Sequence, residues 1–257
     1  MKIGAMNNPT KDPVEEIKQI ARAGFDYVDY TFEPPHAEFI EPGLIGMEIE
    51  HSSLEVVGHT AFYLPIAMPF PAVFEASGQE FKRSIYKLSM LGAKKFTIHF
   101  DPGFTLLDSQ ARFNLHRHMF NLIKRETQNL GDITIMIENA PKGGGQLREI
   151  RMLLEELDFL HLHLDVAHAW VTGGEKEIKE YLALGRLAHL HFSDNDGSKD
   201  QHLPLGAPAW NGIPWYDVIQ WVKGVGYDDT ITLEVFAPNK NLLIDSREHL
   251  RRLWDIV

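Results

Sequence analysis

Five histidines, two aspartates and two glutamates recur at or just beyond the ends of short apolar runs: His59, His99, Glu138, Asp165, His168, His191, Asp200, His202 and Glu234. Seven of them lie within or just after VVGHTA, FTIHF, ITIMIEN, LHLHLDVAH, LAHLHF and ITLEV, and Asp200 and His202 lie in the polar loop after the fifth run. Imidazoles and carboxylates gathered on one rim form the donor set of a divalent metal, with zinc, manganese, iron or cobalt fitting it better than calcium, which prefers oxygen alone. The chain has no cysteine, so thiolate sites and disulfides are excluded. Asp165 and His168 are three residues apart at a strand end and reach the same rim as the chain turns. Asp200-x-His202 places two donors on one extended loop. Glu138 and Glu234 carry the most weight, because an isolated carboxylate pointing into a barrel is costly unless paired, protonated or metal-bound. Few basic residues lie near them in the sequence, and a divalent cation is the simplest partner.

Each residue also has a plainer reading. A lone strand-end histidine is more often a hydrogen-bonded rim residue than a ligand, and SDNDG is by itself turn chemistry. Eight of the thirteen histidines are left out of the metal set. His51, His116, His118 and His249 fall in helical segments. His161, His163 and His189 lie deeper in strands, where a structural hydrogen bond suits them better. His36, in the Pro-Pro loop, is read with Trp170 and Lys142 as lining a substrate pocket. Trp210 and Trp215 are candidate walls of it or core residues.

The elements that must position these residues follow a strand–helix rhythm of roughly thirty residues. The pattern predicts strands at 2–6, 27–32, 56–61, 95–100, 133–138, 160–165, 187–193 and 230–236. It predicts helices from Asp12-Pro13, a cap followed by proline at the first helical position, to Gly24, then at 45–54, 74–91, 106–130, 146–157, 175–184, 216–225 and 243–256. Eight such units in alternation imply parallel strands joined by right-handed crossovers. A single closed (β/α)8 TIM barrel spanning 1–257 is the economical architecture. Strand alternation agrees: Ile133, Ile135 and Ile137 face the helices, leaving Thr134, Met136 and Glu138 inward, and Thr230, Thr232 and Glu234 divide in the same way from Ile231, Leu233 and Val235. That puts both glutamates at the C-terminal rim, where barrel active sites are built.

Composition narrows the partners. The net charge of −11 argues against extensive nucleic-acid binding. No apolar run approaches the ~20 residues of a membrane span, and the N-terminus MKIGAMNNPT has no signal-like apolar stretch. A cytoplasmic protein without membrane partners is expected, its oligomeric state left open.

The motifs GHTAFYLP, IHFDPG, IENAP, LDVAH, HFSDNDGSKDQHLPLG and LEVF, in this order and spacing, resemble the xylose isomerase-like TIM-barrel superfamily, from the third strand to the eighth. This superfamily includes sugar phosphate isomerases and epimerases and endonuclease IV. In the endonuclease IV pattern the resemblance implies three ions: His59, His99 and Glu138 on one, Glu138, Asp165, His191 and Glu234 on a second, and His168, Asp200 and His202 on the third. In the isomerase and epimerase branch it implies one ion on Glu138, Asp165, His191 and Glu234, with the two glutamates also moving the substrate's proton. One to three zinc or manganese ions are therefore expected.

The rim loops contain Lys142, Lys199 and Lys240 as nearly their only bases, which favours a small carbohydrate-like substrate over a nucleic-acid backbone. Ala207 and Pro208 depart from the isomerase branch's glycine-rich pattern. The expected activity is a divalent-metal-dependent isomerase or epimerase of a sugar, sugar phosphate or related hydroxy-carbonyl compound. The alternative is a multi-zinc phosphodiesterase acting on abasic DNA or another phosphoester, the one reading with a nucleic-acid partner. A non-enzymatic metal-binding protein is the lesser alternative.

Overall fold

A computed structural model describes residues 1–34, 41–104, 106–142, 145–208, 210–236 and 239–257. Eight parallel strands close in chain order into one barrel: β1 Lys2–Met6, β2 Tyr27–Phe32, β3 Glu55–Thr60, β4 Lys95–His99, β5 Thr134–Glu138, β6 Leu160–Asp165, β7 Leu187–Phe192 and β8 Thr230–Leu233. The helices are α1 Pro13–Arg22, α2 Pro42–Ser52, α3 Pro71–Met90, α4 Ser109–Glu126, α5 Gln146–Glu156, α6 Val166–Leu182, α7 Trp215–Gly224 and α8 Lys240–Ile256. The expected (β/α)8 barrel is the fold. None of the described helices is long and apolar enough to cross a membrane.

Local chemistry explains the boundaries. Asp12 caps α1 by accepting from Glu15 N, with Pro13 at the first turn. Gly24 and Gly92, beyond α1 and α3, have φ of 74° and 97°, the left-handed conformation that reverses the chain there. The largest boundary difference is in α6, which begins at Val166 directly after β6 instead of near Glu175. Gly174 (φ 63°, ψ −148°) kinks the helix, so the apolar periodicity restarts beyond the kink and hides the first turns. His168 therefore sits on the first turn of a helix rather than in a loop.

The strands alternate between two different environments. Their outer residues, among them Val28, Tyr30, Ile98, Ile135, Ile137, Leu162, Leu190 and Ile231, join the helices in one buried apolar layer. The interior opens at its N-terminal end with a small apolar plug of Tyr27, Val57, Met136 and Ala188. Gly4 makes room for it: a Cβ there would lie 2.2 Å from the Tyr27 ring. Above the plug the interior turns polar, and the register carries that polarity to the C-terminal rim, pairing His99 with Glu138 and Asp165 with His191.

Candidate metal centre

The turns and loops at the C-terminal strand ends build the rim. Asp165 ends β6 and caps α6, its Oδ1 accepting from His168 N at 2.7 Å. Asn139, next to Glu138, locks the neighbouring turns together: its amide donates to Asp165 O (2.9 Å), and its Oδ1 accepts from Asp165 N (2.8 Å). Its backbone carbonyl accepts from His168 Nδ1 at 2.7 Å, which fixes that ring with Nε2 turned to Asp200 and the site. Asp101 accepts from Ile66 N, Ala67 N and Gly103 N, at 2.8, 2.8 and 2.7 Å, and so ties the loops after β3 and β4 together beside His99. His116 supports that corner, stacked on Phe100 at 4.7 Å, with its Nε2 accepting from Asp101 N at 3.1 Å.

All nine predicted ligands converge at this rim. Among the described residues, His59, His99 and Glu138 form one set whose ligand atoms all lie within 4.8 Å of one another, and Glu138, Asp165, His191 and Glu234 form a second. Glu138 belongs to both, and its two oxygens divide the work. Oε2 lies 3.2 Å from His99 Nε2 and 3.6 Å from His59 Nε2, whereas Oε1 lies 3.9 Å from His191 Nδ1. His168 and His202 are joined through Asp200, whose Oδ2 is 3.3 Å from His168 Nε2 and 2.9 Å from His202 Nε2. His202 holds a left-handed backbone (φ 49°) unusual for a residue with a side chain, which aims the ring back at the rim.

The donor chemistry suits a cation. Of the eleven buried side-chain polar atoms without a hydrogen-bond partner among the described residues, six belong to the predicted ligands: His59 Nδ1, which is turned to Asp29 and away from the rim, and His99 Nδ1, Glu138 Oε2, Asp165 Oδ2, Asp200 Oδ1 and His202 Nδ1. Such orphans are rare in folded proteins unless something else satisfies them. His59 Nε2 and His99 Nε2 face each other at 3.1 Å, an arrangement that uses two lone pairs only if an ion or a proton lies between them. Without an ion, protons supply the positive charge. Burial pulls His168 and His202 down, yet Asp165 and Asp200 for the first, and Glu234 and Asp200 for the second, raise them to about 10 and about 9. Burial raises the Glu138 carboxyl to about 7 against the pull of His191, His59 and His168. Burial acts in the same direction on Glu234, but His202 and the hydrogen bond from His191 hold it at about 2.

A cavity of about 570 Å³ opens onto the centre. Glu138, Glu234, His59, His99, His168, Asp200 and His202 form its floor, and Met6, Pro9, Phe62, Phe100, Pro102, Pro141 and Phe236 its walls. No lysine or arginine lines it among the described residues. The residues predicted to bind substrate fare differently. Lys142, one residue beyond Pro141, is exposed to solvent and is not part of the lining. Trp170, on the first turns of α6, is half-buried and donates from its indole to Asn211 O at 3.1 Å, bracing the loop after β7 outside the cavity. His36 lies outside the described residues. The expectation that few basic residues are near the two glutamates also changes: six histidines, His163 among them, take the place that lysine and arginine do not fill.

The structure adds residues that the sequence pattern did not single out. Asp29 lies fully buried inside the barrel and touches histidines of both sets. Its signal was present, since Tyr27, Asp29 and Thr31 share the inward face of YVDYTF. Glu33 lines the cavity, accepting from Thr31 Oγ1 at 2.9 Å. His163 and His189, expected to make structural hydrogen bonds, do so with Thr97 Oγ1 at 3.0 Å and Thr230 Oγ1 at 2.8 Å.

His116 gives a pH prediction. Burial lowers it to about 4, against the hydrogen bond between its Nδ1 and Arg112 O, because a proton on Nε2 would confront Asp101 N–H. The unfolded chain titrates near 6.5, so this contribution is complete above about pH 6.5 and lost as pH falls through 4, amounting to about 3 kcal/mol. Urea unfolding of wild type and His116→Gln across that range should show the wild type losing about this much more. Parallel curves would remove the assignment.

Comparison with known proteins agrees with the architecture. A D-tagatose 3-epimerase-like protein superposes with a TM-score of 0.85 at 21% identity, covering 100% of this chain and 98% of that one. L-ribulose 3-epimerase superposes at 0.82 with 15% identity, covering 99% and 95%. A Thermus thermophilus protein from a crystal soaked with ZnCl2 superposes at 0.78 with 23% identity, covering 100% and 99%. Two uncharacterised Methanocaldococcus jannaschii proteins are 31% and 26% identical over 136 residues, 49% of this chain, and the matches span 44% and 51% of them, about half the length of each. Residues 17–253 match the family described as xylose isomerase-like TIM barrel, and the chain belongs to that family.

Proposed function

We propose that this protein is a divalent-metal-dependent epimerase or isomerase of a neutral sugar or related hydroxy-carbonyl compound. The observation that carries the reading is the convergence of Glu138, Asp165, His191 and Glu234 beneath a cavity lined by aromatics, prolines and acids, with no lysine or arginine among its described residues. A phosphate ester or a nucleic-acid backbone calls for positive charge or aimed donors. A neutral polyol needs hydrogen-bonding groups and apolar faces for its C–H surfaces, which Asn8, Thr10, Glu33, Phe62 and Phe236 offer. The preference thus goes to the free sugar over the sugar phosphate.

Glu138, Asp165, His191 and Glu234 would hold one zinc or manganese ion, and His59 and His99 with Glu138 a second. Bound there, the ion would act as a Lewis acid on the substrate's carbonyl and hydroxyl oxygens. Epimerisation beside a carbonyl removes a proton from one face of a carbon and returns one to the other, so it needs two proton-carrying groups. Glu138 and Glu234 enter the cavity from β5 and from just beyond β8, on separate sides of the barrel. Without an ion the two differ, burial raising Glu138 to about 7 while Glu234, against burial, is held at about 2 by His202 and His191. As ligands of a divalent ion both would be carboxylates, able to exchange the substrate's proton from either side. The activities for which the D-tagatose 3-epimerase-like protein and L-ribulose 3-epimerase are named support this reading.

A second reading, a multi-zinc phosphodiesterase, is favoured by the shared Glu138 and the His59–His99 pair, since metal pairs clamp both oxygens of an in-line displacement. One experiment separates the two. The protein is loaded with manganese or zinc, its metal counted by elemental analysis, and incubated in deuterated water with a panel of free ketopentoses and ketohexoses and their phosphates. An abasic duplex DNA is included at near-physiological salt. Deuterium entering the carbon beside the carbonyl of a free ketose, with the DNA intact, is the expected result. Incision of the DNA with no exchange in any sugar would reverse the ranking.

A further inference from the structure

Asp29 is a carboxylate in the middle of β2, wholly buried and absent from the cavity lining. Its Oδ2 accepts from His191 Nε2 at 2.8 Å, from Thr232 Oγ1 at 2.9 Å and from His189 Nε2 at 3.0 Å. Its Oδ1 has no hydrogen-bond partner and lies 3.6 Å from His59 Nδ1, which has none either. Asp29 therefore stands behind one histidine of each set, His191 of the four-residue set and His59 of the three-residue set.

The nitrogens turned to Asp29 are the ones that do not face the rim. His191 presents Nδ1 to the rim carboxylates, 2.9 Å from Glu234 Oε2 and 4.0 Å from Asp165 Oδ2. His59 presents Nε2 to His99 Nε2 and Glu138 Oε2. A neutral imidazole carries one N–H and one lone pair, and whichever nitrogen donates settles which one can bind an ion. A carboxylate behind the ring takes the N–H, aims the lone pair outward and raises its basicity.

Resting on the metal-centre reading above, we propose that Asp29 is the positioning residue common to both ligand sets. It holds His191 protonated on Nε2 and His59 protonated on Nδ1, so that Nδ1 and Nε2 respectively are offered to ions at the rim. The opposite role, Asp29 as a ligand to an ion deeper in the barrel with His59 and His191, fits poorly. Oδ2 already accepts three hydrogen bonds, which leaves only Oδ1 for such an ion, and the ion would take the nitrogens that turn away from the rim set. Thr232 fixes the carboxylate in turn, with Tyr27 OH 2.9 Å from its hydroxyl, so the line of support runs down to the apolar plug.

The test reads the nitrogens directly. Wild-type protein carrying nitrogen-labelled histidine is titrated with cadmium, a spin-active substitute for zinc, and the imidazole nitrogens are followed by NMR. Coupling of cadmium to His191 Nδ1, with the proton retained on Nε2, and to His59 Nε2, with the proton retained on Nδ1, is expected. Cadmium on either nitrogen that faces Asp29 overturns the proposal. In parallel, Asp29→Asn is compared with wild type for manganese affinity and for the thermal midpoint of the metal-free form. Affinity should fall about 10–100-fold, in the folded protein and beyond any change in midpoint. A lowered midpoint with unchanged affinity would make Asp29 structural only and overturn the proposal, and if the variant does not fold, the wild-type spectra decide. If wild type itself binds neither ion, the metal centre falls and the proposal with it. If wild type binds and the variant matches it, the Asp29 role alone falls.

Discussion

Glu138→Gln should lower turnover by ~10²–10⁴-fold, the range that general acid–base groups contribute, and reduce metal content at both main ligand sets together. The double effect comes from geometry: Oε2 faces His59 and His99, Oε1 faces His191, and an amide has to present N–H to one side or the other. The fold should survive, and the sign of the pH effect says so. Burial raises the Glu138 carboxyl to about 7 in the folded protein, so its stabilising contribution is present below its unfolded value and lost as pH rises through 7. A neutral glutamine does not carry that liability, and at about pH 8 the metal-free variant should unfold at or above the wild-type midpoint. Metal per chain by elemental analysis, deuterium exchange into the substrate and thermal unfolding in chelator together check this. Wild-type metal content with wild-type exchange would remove Glu138 from the centre.

The barrel and most of its rim were legible in the sequence because one physical rule governs both. Side chains alternate along a strand, so uniform isoleucine on one face of ITIMIE and the apolar face of TITLEV mark the helix side and send Glu138 and Glu234 inward. The rule weakened where the signal lay in a single residue. Asp29 shares its strand face with Tyr27 and Thr31, but one carboxylate among tyrosines reads as an ordinary strand interruption until the partners from β3, β7 and β8 are in place. Lys142 and Trp170 were placed near the rim by proximity in sequence, yet the direction of a side chain on a loop or first helical turn depends on local backbone. The helix start after β6 and the Asn211 carbonyl decide Trp170, and neither has a sequence signature. The rim's pairing by histidine instead of lysine or arginine was likewise a matter of tertiary arrangement.

Asp194→Ala is expected to cost about 3–5 kcal/mol, because several buried donors lose their acceptor and each left unmade costs ~1–3 kcal/mol before the loop relaxes toward water. SDNDG reads as a turn, but its first aspartate is the hub of the whole segment between β7 and α7. Oδ1 accepts from Asn195 N at 2.9 Å and Ile213 N at 3.1 Å, and Oδ2 from Gly206 N and Trp215 Nε1, both at 2.7 Å. Its backbone also exchanges hydrogen bonds with Leu203 at 2.8 and 2.9 Å. These contacts close the chain around Asp200 and His202, so losing them frees the arm that brings both residues to the rim. Asp196 supplies the control: exposed in the same loop, its carboxylate accepts from Ser198, through N at 3.0 Å and Oγ at 2.5 Å. Asp196→Ala should leave the unfolding curve close to that of wild type, as surface changes do. Urea unfolding of both variants, with Trp215 fluorescence as a local probe, measures the contrast. An Asp194→Ala curve that overlays the Asp196→Ala curve would show that the loop is held by its backbone pairing with Leu203 and not by the buried carboxylate.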